Sequence, residues 1–425
     1  MFLFYCLIQF LFSSNFLHNF VFSSAFSPLK LRLGGSLDDK VLYETGDFGL
    51  PCLPFVKNDS ALFGYNDGCL PISRWDQLNK FFEEARVSVV FGLNALNGRV
   101  PMPDGSVGGN ELSGKGIRAR IDVAQYAKDT KSLKKIVDQI YEGRSGKPLI
   151  IAPGGNFEVE WYSQFIDLTK RSSSLDVITH HMYILGPGVD EHLVEKILNH
   201  SRLDLAASVF ANLSVILRNA GSSPTAWVGE AGGAYNSGRN LVTNSFVSSF
   251  WYLDQLGMSA NYDTKSYCRQ SLIGGNYGLL NTTTFEPNPD YYSALLWHRL
   301  MGPKVLATDF IGTKKIRAYT HCARDSNGIT LLLLNLDLIE TAYVQVSIKS
   351  AEFTKETREE YHLTAKDGDL HSQTVLLNGK ALNVDSYGQI PALEPLEVDG
   401  SQPIKVDPVS VVFAHLPYVH APACI

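Results

Sequence analysis

From about residue 25 to residue 302 the chain alternates short apolar runs with longer stretches of helical spacing, and nearly every apolar run closes on glycine or polar residues. Leu29-Lys-Leu-Arg-Leu-Gly-Gly, Val87-Ser-Val-Val-Phe-Gly, Lys147-Pro-Leu-Ile-Ile-Ala-Pro-Gly-Gly, Leu175-Asp-Val-Ile-Thr-His-His-Met-Tyr, Ala226-Trp-Val-Gly-Glu and Ser266-Tyr-Cys-Arg-Gln-Ser-Leu-Ile-Gly-Gly read as strands. Between them lie helical patterns at 73–85, with Ser73 as its expected N-cap, and at 121–141, 190–198, 204–220, 242–257 and 291–301. Strands that alternate with helices predict a parallel sheet, because parallel neighbours need a crossover long enough to hold a helix. About six clear strands of this kind predict an α/β fold, a (β/α)8 TIM barrel with working residues at the carboxyl face. A doubly wound open sheet is the alternative, weakened by the lack of a Gly-x-Gly-x-x-Gly turn.

The pattern changes near residue 305. Ile316-Arg-Ala-Tyr-Thr-His-Cys, Ile329-Thr-Leu-Leu-Leu-Leu-Asn-Leu, Ala342-Tyr-Val-Gln-Val-Ser-Ile and Val409-Ser-Val-Val-Phe-Ala-His-Leu carry β-type patterning between turn residues, which predicts an antiparallel β-sandwich. The expected division is a barrel over 26–304 and a sandwich over 305–425. The charged run at 354–360 is expected to be a solvated face or loop.

A net charge of −6 argues against nucleic acid as a partner and gives no overall attraction to a polyanion. Residues 1–25 read as a signal peptide or an unrelated leader. The apolar run is too short to span a bilayer, it lacks a basic start, and Ser23-Ser24-Ala25 offers a cleavage site. Sequons at Asn58, Asn199, Asn212 and Asn281 fit a secreted chain. So do the cysteines: Cys52 and Cys69 bracket a short segment, Cys322 and Cys424 bracket the C-terminal region, and Cys268 is left as a buried thiol. The expected location is extracellular or cell wall, with a lysosome or vacuole and at most peripheral membrane contact as the alternative.

The chemistry rests on two glutamates, Glu230 in Ala226-Trp-Val-Gly-Glu-Ala-Gly-Gly and Glu111 in Gly109-Asn-Glu-Leu-Ser-Gly. Carboxylates at two strand ends are what glycosidic cleavage needs: one protonates the leaving oxygen, the other attacks or activates water. Asn110 beside the acid is suited to a sugar hydroxyl, and Arg32 to holding Glu230 ionised. His181 and Tyr183 end the preceding strand, and His180 is expected to serve the core. No cofactor or metal is expected, since adjacent histidines on a strand point apart and no cluster has ligand spacing. No Gly-x-Ser-x-Gly elbow or Walker loop occurs.

From about Ala25 to its end the chain resembles the heparanase-like branch of glycoside hydrolase family 79, especially its plant members. The resemblance is carried by Phe26-Ser-Pro-Leu-Lys-Leu-Arg-Leu-Gly-Gly, Phe91-Gly-Leu-Asn-Ala-Leu-Asn-Gly-Arg, Gly109-Asn-Glu-Leu-Ser-Gly, Thr179-His-His-Met-Tyr, Trp227-Val-Gly-Glu-Ala-Gly-Gly-Ala-Tyr, Ser249-Phe-Trp-Tyr-Leu-Asp-Gln-Leu-Gly, Tyr267-Cys-Arg-Gln and Pro287-Asn-Pro-Asp-Tyr-Tyr. It implies a barrel with a β-sandwich and retaining hydrolysis of β-glucuronidic linkages, Glu111 matching the acid/base and Glu230 the nucleophile. It places Ser36, Asn110, His181, Tyr183, Gln270 and Tyr277 near the substrate. Tyr277 and the backbone around Asn236 and Ser237 fall near a glucuronate carboxylate, and Lys115 where acidic groups of a chain would lie. The implied partners are a glucuronic acid-containing polysaccharide, a proteoglycan or a small glucuronide.

Two departures stand out. The family's first strand has no evident counterpart before Ala25, and Arg99-Val-Pro-Met-Pro-Asp-Gly-Ser-Val-Gly runs straight into Gly109-Asn-Glu, where the family carries a helix and a fourth strand. Glu111 is therefore expected on a flexible loop. The alternative reading follows: a weak or inactive paralogue that binds carbohydrate.

Overall fold

The computed structural model describes residues 2–7, 25–44, 51–61, 64–94, 111–114, 120–221, 223–348, 357–419 and 421–425, with backbone alone for 2–7. Seven strands form one sheet: β1 (Phe2–Leu7), β2 (Leu29–Leu33), β3 (Val87–Phe91), β4 (Ile151–Asn156), β5 (Val177–Met182), β6 (Thr225–Ala231) and β7 (Ser266–Ile273). Their order is β3-β2-β1-β7-β6-β5-β4, and every neighbouring pair is parallel. The molecule is thus a mixed α/β fold built on a large sheet. The place expected to lack a first strand is taken by β1, which pairs with β2 on one side and β7 on the other. The physical reason is simple. Two parallel strands present facing rows of backbone N–H and C=O groups, and an apolar six-residue segment satisfies both.

Helices α1 (Ile72–Glu84), α2 (Val123–Ile140), α3 (Val159–Thr169), α4 (Leu205–Ala220), α5 (Ser248–Asn261) and α6 (Pro289–Leu300) run between or after these strands. The pattern at 190–198 is only the short helix Leu193–Ile197. Sequence reading passed over α3, although it buries Trp161, Tyr162, Phe165 and Ile166. Ser73 is not the cap of α1. Pro71, in extended conformation, precedes the helix, and the Glu44 carboxylate accepts from the Ile72 N–H at 2.8 Å. A distant side chain satisfies an orphan donor that the local sequence leaves open.

In β2 the leucines at 29, 31 and 33 face the helices, while Lys30 and Arg32 point to the other side. There Lys30 lies over the Trp227 ring, and Val177, Trp227 and Cys268 cluster with Val90 and Ile151. Strand β7 is buried at all eight positions, as a parallel strand covered on both faces must be. Val89 in edge strand β3 and Leu149 just before edge strand β4 are exposed.

The C-terminal region forms an eight-stranded antiparallel sheet ordered Met301–Leu306, Ile316–Ala323, Ile329–Asn335, Val411–Leu416, Thr357–Ala365, Val375–Leu377, Lys380–Ala381, with Leu396–Asp399 also on Thr357–Ala365. Ala342–Val344 and Ile404–Val406 pair separately. The charged run expected in solvent is here a buried strand from residue 357. Arg358 bonds Glu360 at 2.6 Å and donates to the Gly400, Gln402 and Pro403 carbonyls, which replaces the water that both charges give up. One hydrophobic core joins the two sheets through α5 and α6. Disulfides link Cys52 to Cys69 and Cys322 to Cys424, and Cys268 is a buried free thiol.

Candidate active site

The carboxyl ends of the parallel strands converge on one side of the sheet and carry Arg32 (β2), His181 (β5), Glu230 (β6) and Gln270 (β7). His181 and Glu230 are register partners, so their side chains leave the sheet side by side. Glu230 is 6% exposed and accepts two hydrogen bonds: Arg32 Nη1 donates to Oε2 at 2.7 Å and the Tyr183 hydroxyl to Oε1 at 2.5 Å. Burial by itself would push this carboxyl up. His181, Arg32 and Tyr183 outweigh it and hold Glu230 below the ordinary carboxylate range.

Glu111 sits in a turn after no strand of the described residues, yet it is not loosely held. Leu112 is fully buried among Tyr126, Trp161 and Phe165, and its carbonyl accepts from the Ile121 N–H at 3.0 Å. The Ser113 hydroxyl donates to the Gly154 carbonyl at 3.3 Å. Gly155, with φ of 133°, lets the turn lie against the end of β4: a Cβ there would stand 2.6 Å from Ser113 Oγ and 3.3 Å from the Glu111 Cα. Packing onto the neighbouring strand and helices thus replaces the expected flexibility. Glu111 itself has φ of 50°, an uncommon left-handed conformation for a non-glycine residue.

The two acids meet through His181. Its Nδ1 lies 2.7 Å from Glu111 Oε1 and 3.8 Å from Glu230 Oε2. One ligand atom from each of Glu111, His181 and Glu230 falls within 4.8 Å of the others. The same atoms would face a metal ion. However, Arg32 already places a positive charge on the Glu230 oxygen, which weakens the hold of the set on a further cation.

The remaining expected residues divide. Gln270 Nε2 donates to the Tyr277 hydroxyl at 3.2 Å, and the Tyr183 and Tyr277 rings both crowd Gly232, two residues after Glu230. Asn236 and Ser237 are exposed, with φ of 57° and 67°, and the Ser237 carbonyl accepts from the Asn276 N–H at 2.7 Å, so their loop abuts that of Tyr277. Ser36 lies in the turn after β2. Asn110 and Lys115 fall outside the described residues. Of the sequons, Asn58, Asn199 and Asn281 use their side-chain oxygens in local turns or a cap, and Asn212 is exposed on α4. His180 is fully buried between Phe157 and Phe210, has no hydrogen-bond partner for either ring nitrogen among the described residues, and is pushed down to about 3 by burial. Asp38 went unnoticed in the sequence, since an Asp pair after Gly-Gly-Ser-Leu looks like any exposed turn. It lies close to Arg32 and Glu230, and burial pushes its carboxyl up to about 7 against the pull of Arg32.

A large strand–helix sheet with two acidic side chains at its carboxyl edge defines a glycoside hydrolase, and the comparisons with known proteins agree. The family described as glycosyl hydrolase family 79, N-terminal domain, matches residues 5–109 and 104–257. The chain belongs to glycosyl hydrolase family 79. It is 53% identical over 449 residues to heparanase-like protein 3 of Arabidopsis thaliana, covering 94% of this chain and 83% of the relative. Baicalin-beta-D-glucuronidase of Scutellaria baicalensis is 43% identical over 447 residues, covering 95% and 83%. Heparanase of Mus musculus is 27% identical, covering 82% and 70%. Because 94% of a 425-residue chain is shorter than the 449-residue match, the Arabidopsis relative carries residues inside the matched span that this chain lacks. The two family matches overlap at 104–109, just before Glu111. Among solved structures, a 4-O-alpha-L-rhamnosyl-beta-D-glucuronidase from Fusarium oxysporum 12S aligns with a TM-score of 0.69 at 15% identity, covering 98% of this chain and 95% of that one. A family 51 arabinofuranosidase from Xanthomonas axonopodis pv. citri aligns at 0.66 and 15%, covering 95% and 89%. These likenesses show the fold.

Proposed function

We propose that this chain is a retaining β-glucuronidase in which Glu230 is the nucleophile and Glu111 the general acid/base. The observation that carries the reading is the closeness of the two carboxyls, bridged by His181 with all three ligand atoms within 4.8 Å. A retaining pair stands about 5–5.5 Å apart, whereas an inverting pair needs about 6.5–9.5 Å to admit water. Arg32 and Tyr183 favour an ionised Glu230 ready to attack the anomeric carbon. Glu111 then gives its proton to the leaving oxygen and afterwards takes one from water. The glucuronidase and heparanase relatives support glucuronic acid as the sugar, in a polysaccharide, a proteoglycan or a small glucuronide. Gln270, Tyr277 and the 236–237 loop form the wall that would read it.

The same reading takes the parallel sheet as a (β/α)8 barrel whose fourth strand would fall between β3 and β4, and the C-terminal sheets as a sandwich. Sequons and disulfides support action outside the cell or in a vacuole. Cleavage after residue 25 would take β1 with it, so N-terminal sequencing of the exported chain shows whether that strand is kept.

The test is turnover of an aryl β-D-glucuronide, with proton NMR of the first sugar released. A β-anomer and a loss on the order of 10³-fold or more in Glu230→Gln support the reading. An α-anomer excludes retention. No turnover by a folded wild-type chain that still binds glucuronides would favour a carbohydrate-binding paralogue instead.

A further inference from the structure

Glycine positions shape a niche beside the nucleophile. A Cβ at Gly34 would stand 2.9 Å from Asp38 Oδ2 and 3.2 Å from Arg32 Nε, so both side chains converge on the space above that residue. A Cβ at Gly92, just past β3, would overlap the Asp38 carboxyl outright. The Gly35 N–H donates to Asp38 Oδ2 at 3.1 Å and closes the turn that folds Asp38 back over β2. Side chains are absent from two strand ends in the way needed for a carboxyl to enter there. The charged and titratable groups facing it are Arg32 from β2, Glu230 from β6, Asp39 of its own turn and Tyr43 from the strand Val41–Tyr43. Arg32 is the one cation among them, and its Nη1 is held by Glu230 at 2.7 Å.

We propose that Asp38 is a positioning residue that shares the Arg32 guanidinium with Glu230. While Asp38 carries its proton, Arg32 Nη1 stays on the nucleophile. When Asp38 ionises, it draws part of that positive charge away, and Glu230 loses the partner that fixes its Oε2. The inference rests on the proposed role of Glu230. Burial places the Asp38 transition at about 7, within reach of an ordinary pH profile.

The experiment compares wild type with Asp38→Asn on 2,4-dinitrophenyl β-D-glucuronide. That leaving group needs no proton, so Glu111 drops out of kcat/KM on this substrate. In wild type, kcat/KM falls between pH 6 and 8 as Asp38 ionises and levels off at a lower plateau. In Asp38→Asn the ratio of kcat/KM at pH 6 to that at pH 8 drops to near one. A merely structural role would lower kcat/KM at both pH values together and leave that ratio alone, and that result overturns the proposal. A second arm needs no turnover. A carboxyl raised in the fold destabilises it progressively as pH rises from the unfolded value to the folded one. Asp38→Asn therefore raises the melting temperature at pH 8 and has little effect at pH 4. Equal shifts at both pH values overturn the proposal. Absence of turnover in wild type would instead count against the glucuronidase reading, with the unfolding arm still reporting on Asp38.

Discussion

At the scale of single residues, the site is a problem in keeping one buried carboxyl charged. Glu230 pays for its burial with two strong donors, one of them cationic. Its folded carboxyl is depressed, so the stability it lends is present above its unfolded value and is lost as pH falls through the folded one. Arg32→Met removes the cation. We expect kcat to fall on the order of 10²-fold, and the acid limb of kcat/KM to move to higher pH, because burial then acts with less opposition. An acid limb that stays in place would show that Tyr183 and His181 suffice. Both glutamates and Arg32 could be picked out from sequence, since their motifs are local. Asp38 could not, because its meaning comes from glycines on two different strands.

At the scale of elements, the informative case is the Glu111 turn. No strand pattern leads into it in the sequence, which predicts a flexible loop; residues 95–110 before it lie outside the described residues. The structure instead anchors the turn through Leu112, Ser113 and the side-chain-free surface of Gly155 at the end of β4. Gly155→Ala tests this anchor. Its Cβ would push on Ser113 and the Glu111 backbone, and a displacement near 1 Å costs about 10²-fold in rate. The measurement is kcat/KM beside the melting temperature, with the rate expected to suffer far more. Equal kcat/KM for the variant and wild type would mean that Glu111 is aimed by something else. The other misread elements share a cause. Helix α3 and the strand from residue 357 owe their state to burial against partners remote in sequence, and α1 is capped by Glu44 across a loop.

At the scale of the whole molecule, the two sheets are joined by more than apolar contact. Asp254 on α5 is fully buried and bonds both Arg317 and Tyr319 of the C-terminal sheet at 2.6 Å, while Arg317 reaches Asp204 at 2.8 Å. Removing one partner of such a network strands the others without water. Asp254→Ala is expected to cost roughly 3–5 kcal/mol, read by denaturant unfolding. A loss below about 1 kcal/mol would mean that the sheets dock through the apolar core alone. Among the described residues the parallel sheet has β3 and β4 as its edges, on either side of the stretch where the two family matches overlap.

What the sequence determined by itself was whatever depends on neighbours along the chain: the alternation of strand and helix, the change of pattern near residue 305 and the two glutamate motifs. Hydrophobic periodicity and short motifs are local properties, and they survive without coordinates. Only the tertiary structure decided that Phe2–Leu7 joins the sheet, that the Glu111 turn packs against the end of β4, and that Asp38 stands beside the Arg32 cation held by Glu230. Each of these depends on surfaces brought together from distant parts of the chain. Burial and close approach between such surfaces leave no periodic trace in either partner.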